Sequence, residues 1–534
     1  MKTSGKLTAV KGLLLIFFAV SVLLPLLRML ARMTTVDIRG LLVSGPFLAA
    51  LKNSLVVTAV STLIAVFLAT LLSWLLERSR IRFKGLFALL FTLPMLIPSI
   101  SHGMGLVVLF GANGLVTGWF GLKGSIYGFW GIVAGSVMYS FPVAFLMLSD
   151  ILRYEDSSPY EAADVMGISR RHQFASITAP FLRRPMLSTL FAVFTLIIID
   201  YGVPLMVGGQ YKTLPVMMYQ DVIGLLDFGK GSVIGLVLLT PALVAFILDV
   251  LNRDKLTLSF VARPFRVRKN RLRDGLAYVT SGLVSLAVLL PIAAFLLLTL
   301  VKKYPSDMRL SMDNISRAFN MGAGANLGHS LVIALVTSLT GVALSFLVAY
   351  MTARTPGKLS KILHLVSLIS LAIPGIVLGL SYVLFFKGSL IYGSLAILIL
   401  VNLVHFFASP YLMIYNTLAK LNEHLEAVGQ TLGVSRISII RDVILPQAGG
   451  TLAEMFTYFF VNSMMTISAV AFLATAGTRP LSLMITSFEA QMLLECAAFI
   501  ALLILTVNLL VKGLFTYYRS RKERSAYEPD QAAV

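Results

Sequence analysis

The sequence predicts an all-α, polytopic membrane protein, and three observations carry that prediction. Of its 534 residues, 57% are hydrophobic and only 13% are charged, about half the charge of an ordinary soluble domain. Mean hydropathy is +0.88. Apolar runs of about 20 residues, the length that crosses a bilayer as a helix, recur along the whole chain. This composition excludes a water-soluble enzyme of this size, and the abundance of apolar residues excludes disordered and fibrous chains.

Twelve such runs are legible: 10–30, 54–76, 86–110, 125–148, 186–206, 232–251, 276–300, 330–351, 362–386, 392–416, 451–474 and 493–515. The first follows Lys2, Lys6 and Lys11 like a signal peptide. Arg28 and Arg32 then follow without a small-residue cleavage site, so it is expected to stay as a helix. With the N-terminus inside, the inner segments hold 31 of the 44 lysines and arginines, which predicts that both termini are cytoplasmic. The densest basic run, Arg263 to Arg273, lies near the middle of the chain. It reads as a linker lying on anionic lipid, as does the net charge of +20, so the bilayer and not nucleic acid is the expected partner. The one cysteine, Cys496, can form neither an intrachain disulfide nor a cysteine-rich metal site.

The second half echoes the first. Asn53-Ser54-Leu55-Val56-Val57-Thr58 matches His329-Ser330-Leu331-Val332-Ile333-Ala334 at an offset of 276, and Pro98 with Gly103 matches Pro374 with Gly379 at the same offset. A duplicated six-span unit accounts for this, with halves 1–264 and 265–534. Pro94, Pro98, Pro374 and Gly375 stand within spans, as kinks or as tolerated irregularities.

Two inner loops, 149–185 and 417–450, repeat at an offset of 266. In the first, Ser158 and Glu161 have the spacing of a capping box, and Pro159 suits the first helical position. Gly167 can end that helix in the left-handed conformation. Ser169 is then expected to cap a second helix running to Pro180. The second loop repeats Gly-(Ile/Val)-Ser-Arg at Gly433–Arg436, and both copies place a proline thirteen residues after the glycine, Pro180 and Pro446.

Here the chain resembles the inner-membrane permeases of binding-protein-dependent ABC importers. Glu161, Ala162, Ala163, Gly167, Ile177 and Pro180 match the Glu-Ala-Ala-x3-Gly-x9-Ile-x2-Pro signature of that family. The second copy keeps Gly433 and Pro446, has Val443 for the isoleucine, replaces Glu-Ala-Ala with Ala427-Val428-Gly429, and carries Glu426 one position early. The resemblance implies that both loops couple to two separate ABC ATPase subunits, where ATP and Mg act, with no cofactor on this chain. It also implies an extracytoplasmic solute-binding protein as partner and a bacterial inner-membrane location. A fused pair of this length is similar to ferric-iron, thiamine and 2-aminoethylphosphonate permeases. The segment Met465–Leu473 resembles the phosphonate group, which makes 2-aminoethylphosphonate or ferric iron the expected solute, with thiamine or a polyamine as alternatives.

An energy source within the chain is not legible. Gly224–Gly231 approaches a phosphate loop but has Gly231 where a hydroxyl belongs. The competing class is a gradient-driven secondary transporter, for which Asp200, deep in an apolar run, is the natural ionisable group. Asp200 and Glu454 are the candidate residues of a translocation path, with His102 and His405 weaker. No metal-ligand cluster, nucleophile motif or carboxylate pair points to an enzyme.

Overall fold

The computed structural model describes residues 2–121, 125–252, 267 and 269–527. Among these, nine helices are long and apolar enough to cross a membrane, or ten if Leu395–His405 and Ala408–Lys420, bent by 52°, form one span. The difference from twelve runs has local causes. The run 362–386 is divided between the helices Lys358–Ile369 and Gly375–Phe386, with Pro374 as the N-cap of the second. Pro98 is likewise the N-cap of Ser99–Phe110. A proline biases its predecessor away from helical geometry, so a helix resumes only after it. The run 451–474 is helical only to Met465, because Thr466 turns extended with ψ 137°. Its helix instead begins at Leu445 and takes in Gly449, Gly450 and Glu454, which dilute its hydropathy.

The all-α architecture holds, with one short hairpin among the helices. Val301–Lys303 and Asp307–Leu310 pair as an antiparallel hairpin. The Tyr304 amide donates to Glu495 Oε1 at 2.8 Å, and its hydroxyl donates to the Asn113 carbonyl.

Packing divides the chain into two compact units, Asp37–Ser316 with Met492–Leu502, and Met1–Val36 with Arg317–Gln491 and Leu503–Val534. These are not the two sequence halves. The helix Arg271–Leu300, which opens the second half, packs on Gly45–Arg78, Lys84–Thr92 and Ser99–Phe110. The helices Lys2–Phe18 and Leu24–Arg32, which open the first half, pack on Lys358–Ile369 and Gly375–Phe386. Each half has thus given its first helix to the other unit. The 264/265 boundary lies outside the described residues, as do Arg263 to Arg266 and Arg268.

Small residues let the helices approach closely, the usual packing device where lipid removes the hydrophobic drive. In the first-half unit a Cβ on Gly103 would lie 2.7 Å from Met206 Cβ. In the second-half unit a Cβ on Gly379 would lie 2.7 Å from the Ala469 carbonyl oxygen. The repeat also carries its hydrogen bonds. Ser54 Oγ accepts from the Leu214 amide at 2.7 Å, and Ser330 Oγ accepts from the Leu481 amide at 2.7 Å. Beside them, Asn53 Nδ2 donates to the Lys212 carbonyl, and His329 Nδ1 meets the Arg479 carbonyl. The turn after each long helix is fixed by the borrowed helix of its unit. Asp274 Oδ1 and the Tyr278 hydroxyl accept from the amides of Arg80 and Arg82, whereas Lys11 Nζ donates to the Thr355 carbonyl at 2.8 Å.

The one proline inside the N-terminal span is compensated locally. Pro25 cannot donate to the Ser21 carbonyl, a π turn forms over Ala19–Leu23, and the Tyr382 hydroxyl donates to Ser21 instead at 2.7 Å.

Candidate coupling elbows

Each repeated loop folds into an elbow: a short helix, a left-handed glycine, and a second helix. The first elbow has Ser158–Val165 and the second Leu425–Thr431. Gly167 has φ 69° and Gly433 has φ 72°. Around each glycine the backbone closes the same two bonds. Ile168 N donates to Ala163 O at 2.9 Å and Gly167 N to Asp164 O at 3.1 Å; Val434 N donates to Gly429 O at 2.8 Å and Gly433 N to Gln430 O at 3.2 Å. This is the Schellman arrangement, and only a residue at ease with positive φ completes it.

Three expectations about the elbows change. The N-cap of the first helix is Ser157, not Ser158. The Ser157 carbonyl accepts from the Glu161 amide and its Oγ donates to Glu161 Oε1 at 3.0 Å, while Ser158 Oγ donates to Asp156 Oδ1. Ser169 Oγ meets His172 Nδ1 and caps no amide, whereas Ser435 accepts from the Ser438 amide at 3.1 Å. The second helix also does not stop at the proline. In the first elbow Arg170–Gln173 passes through a π turn, Phe174–Thr178, into Ala179–Ile198; in the second Arg436–Ile439 passes through Ile440–Ile444 into Leu445–Met465. Pro180 and Pro446 both stand at the second position after the π turn, whose wider bonding accommodates the missing N–H. Each elbow therefore runs without a break into a membrane-length helix.

The signature residues fall on both sides of the elbows. Glu161, Ala162, Gly167 and Pro180 are exposed, Ala163 is buried, and Ile177 is half-buried; Gly433 and Pro446 are exposed and Val443 is half-buried. Gln173 closes the first elbow from within, its Nε2 donating to Asp164 Oδ1 at 2.8 Å and to the Ile168 carbonyl at 2.9 Å. Ile439 occupies that place in the second. A Cβ on Gly429, which stands where Ala163 does, would come within 2.3 Å of Ile439 Cδ1. The glycine in place of the second alanine thus has a packing reason.

Glu426 has an equally local reason to sit one position early. Its carboxylate is buried and accepts from Arg354 Nε at 2.9 Å and Nη2 at 2.5 Å, and Arg354 also donates to the carbonyls of Leu421 and Asn422. Burial pushes the Glu426 carboxyl up, but the Arg354 hydrogen bonds outweigh it and hold it below the ordinary carboxylate value. In the first elbow Arg78 pairs with buried Glu155, which accepts from the Tyr160 hydroxyl at 2.5 Å; that hydroxyl also meets Thr178 Oγ1 at 2.6 Å. Burial is the leading influence on the Tyr160 phenol and raises it. Arg78 and Arg354 are related by 276, the offset of the Ser54 and Ser330 pair, so this signal was present in the sequence and was missed.

Residues 61–258 and 341–524 each match the family described as the binding-protein-dependent transport system inner membrane component. The chain belongs to that family. This inner-membrane component is 26% identical over 406 residues to the ferric transport system permease protein of Actinobacillus pleuropneumoniae, covering 72% of the chain and 59% of that protein. A putative ferric transport permease of Haemophilus influenzae matches at 26%, again over 72% of the chain and 64% of the relative. The chain thus spans about three fifths of the length of these two relatives. A second Haemophilus influenzae protein, an Fe(3+)-transport system permease, matches at 24% over 88% of the chain and 90% of its own length. The thiamine transport system permease of Brucella suis matches at 26% over 55% of each chain.

The membrane-embedded candidates of this inner-membrane component divide between the two units, Asp200 and His102 in one and Glu454 and His405 in the other. Asp200, which follows the helix ending at Ile198, accepts from the amides of Gly202 at 3.3 Å and Val203 at 3.1 Å, capping Gly202–Val207. Glu454 is exposed on Leu445–Met465. His102 is buried near the Tyr139 ring, and His405 packs beside Gly375. Among the described residues no three His, Cys, Asp or Glu side chains gather as a metal-ion site.

Proposed function

We propose that this chain is the permease subunit of a binding-protein-dependent ABC importer, moving ferric iron delivered by an extracytoplasmic binding protein into the cytoplasm. It is a transport subunit and not an enzyme; ATP is hydrolysed with Mg on two separate ATPase subunits. Twelve crossings with both termini cytoplasmic complete the reading, in line with the placement of lysine and arginine. The observation that carries it is the pair of elbows, each closed by a left-handed glycine and each continuous with a membrane-length helix. Met166 and Leu432, one residue before those glycines, are both exposed and give each ATPase an apolar knob to grip. The signature residues Glu161, Ala162, Ala163, Gly167, Ile177 and Pro180 form one docking elbow, and Gly433, Val443 and Pro446 the other. Ferric iron is favoured because three relatives carry it in their names, one of them matching over nearly its whole length.

The test is reconstitution. Proteoliposomes containing the chain with its ATPase subunits and binding protein should accumulate labelled ferric iron only with ATP on the cytoplasmic side. Accumulation by the chain alone, driven by an ion gradient, refutes the reading and favours the secondary transporter.

A further inference from the structure

We infer that Arg78 and Arg354 are coupling tethers: each ties an elbow to the inner end of a further long helix, beyond the two that its backbone joins, so that this helix moves with the elbow. The inference rests on the function proposed above and extends it to how force leaves the elbow.

Arg78 is the last residue of Gly45–Arg78, and Arg354 directly follows Ala323–Ala353. Both side chains turn into the elbow of their own unit. The Arg78 and Glu155 side chains are 7% and 3% exposed, and those of Arg354 and Glu426 are 4% and 10% exposed. Arg354 holds its carboxylate through two nitrogens, a geometrically specific grip, and out of water neither pair exchanges easily with solvent partners. Arg354 adds the carbonyls of Leu421 and Asn422, spanning the entry to the second elbow. Glu155 passes the grip on through the Tyr160 hydroxyl to Thr178, the last residue of the π turn. Each elbow is therefore joined through its own backbone to the helices before and after it, and to a further long helix through an arginine.

The two tethers are built differently, and the difference explains the signature. In the first elbow the tether carboxylate, Glu155, precedes the elbow helix, which leaves Glu161 exposed on it. In the second the tether carboxylate is Glu426 itself, at the position equivalent to Tyr160, and Ala427 stands where Glu161 would. The second elbow has committed its acid inward.

The test uses the assembled complex with its ATPase subunits and binding protein, reading ferric iron moved per ATP hydrolysed. Arg354→Ala and Arg78→Ala should each retain ATPase subunits and hydrolysis while transport per ATP falls at least tenfold. Arg354→Lys keeps a cation but not the fork, and should give an intermediate ratio with normal assembly. It serves as the measured variant if Arg354→Ala fails to assemble. An unchanged ratio in Arg354→Lys together with an unchanged ratio in any assembled alanine variant overturns the tether. Wild-type complex that transports without ATP overturns instead the functional reading on which it rests.

Discussion

Replacing Gly167 with valine perturbs the first elbow through its backbone alone. No heavy atom lies within 4 Å of a Cβ built there, so nothing collides. The cost comes from φ 69°, which an L-residue reaches at about 1–2 kcal/mol, with a β-branched one at the upper end. Escaping the strain means releasing the bonds from Ile168 N to Ala163 O and from Gly167 N to Asp164 O, at about 1 kcal/mol each. Either way the elbow loses about 2 kcal/mol, close to a thirtyfold shift away from the docking conformation. Asparagine tolerates the left-handed region and should cost far less. Uptake in the reconstituted complex should therefore fall in the order glycine, asparagine, alanine, valine, with equal amounts of each protein in the membrane. Valine transporting as well as glycine refutes the elbow as a conformational device. Asparagine as damaging as valine shows that the position needs empty space against a partner rather than positive φ.

Other perturbations separate the remaining readings. Asp200→Asn keeps an acceptor for the Val203 amide and should retain uptake that is insensitive to a proton uncoupler, whereas Asp200→Leu removes the cap at about 1 kcal/mol; loss of uptake in the asparagine variant favours a gradient-driven carrier. Gly379→Val drives a side chain into the Ala469 carbonyl and should lower Tm in detergent by an overpacking cost of about 1–3 kcal/mol, while Gly118→Ala, with nothing within 4 Å, leaves Tm unchanged. The Glu426 carboxyl titrates below its ordinary 4.5, so its contribution is present above that value and lost as pH falls through the lower folded value. Amide hydrogen-exchange protection of the second elbow, corrected for intrinsic rates, should stay level from pH 7 to 5 and fall only under pH 4.5; loss already at pH 6 contradicts the ion pair as its support.

Much of this molecule could be read from residue types. The glycines at 167 and 433 declared their left-handed turns because each follows a helical stretch and precedes a Ser-Arg start. The 276 and 266 offsets revealed the duplication, and the same arithmetic held for Ser54 and Ser330. What stayed hidden depends on partners distant in sequence. Hydropathy marks Arg271–Leu300 as a span but carries no information on which helices it packs against, so the trade of first helices left no trace. Arg183 and Arg184 made the span after the first elbow begin at 186, although its helix runs unbroken from Arg170. Pro180 and Pro446 read as stops because a π turn has no composition of its own. Glu426 looked like a displaced signature acid; only its contact with Arg354 explains the displacement.

The unbroken helix from Arg170 to Ile198 has a mechanical consequence. Its 29 residues extend about 44 Å at 1.5 Å per residue, against an apolar slab of about 30 Å. Pivoting by about 10° around its midpoint would carry each tip about 4 Å in opposite directions. A push of that size at the elbow end arrives beside Asp200 and the short helix Gly202–Val207 as an equal, reversed stroke.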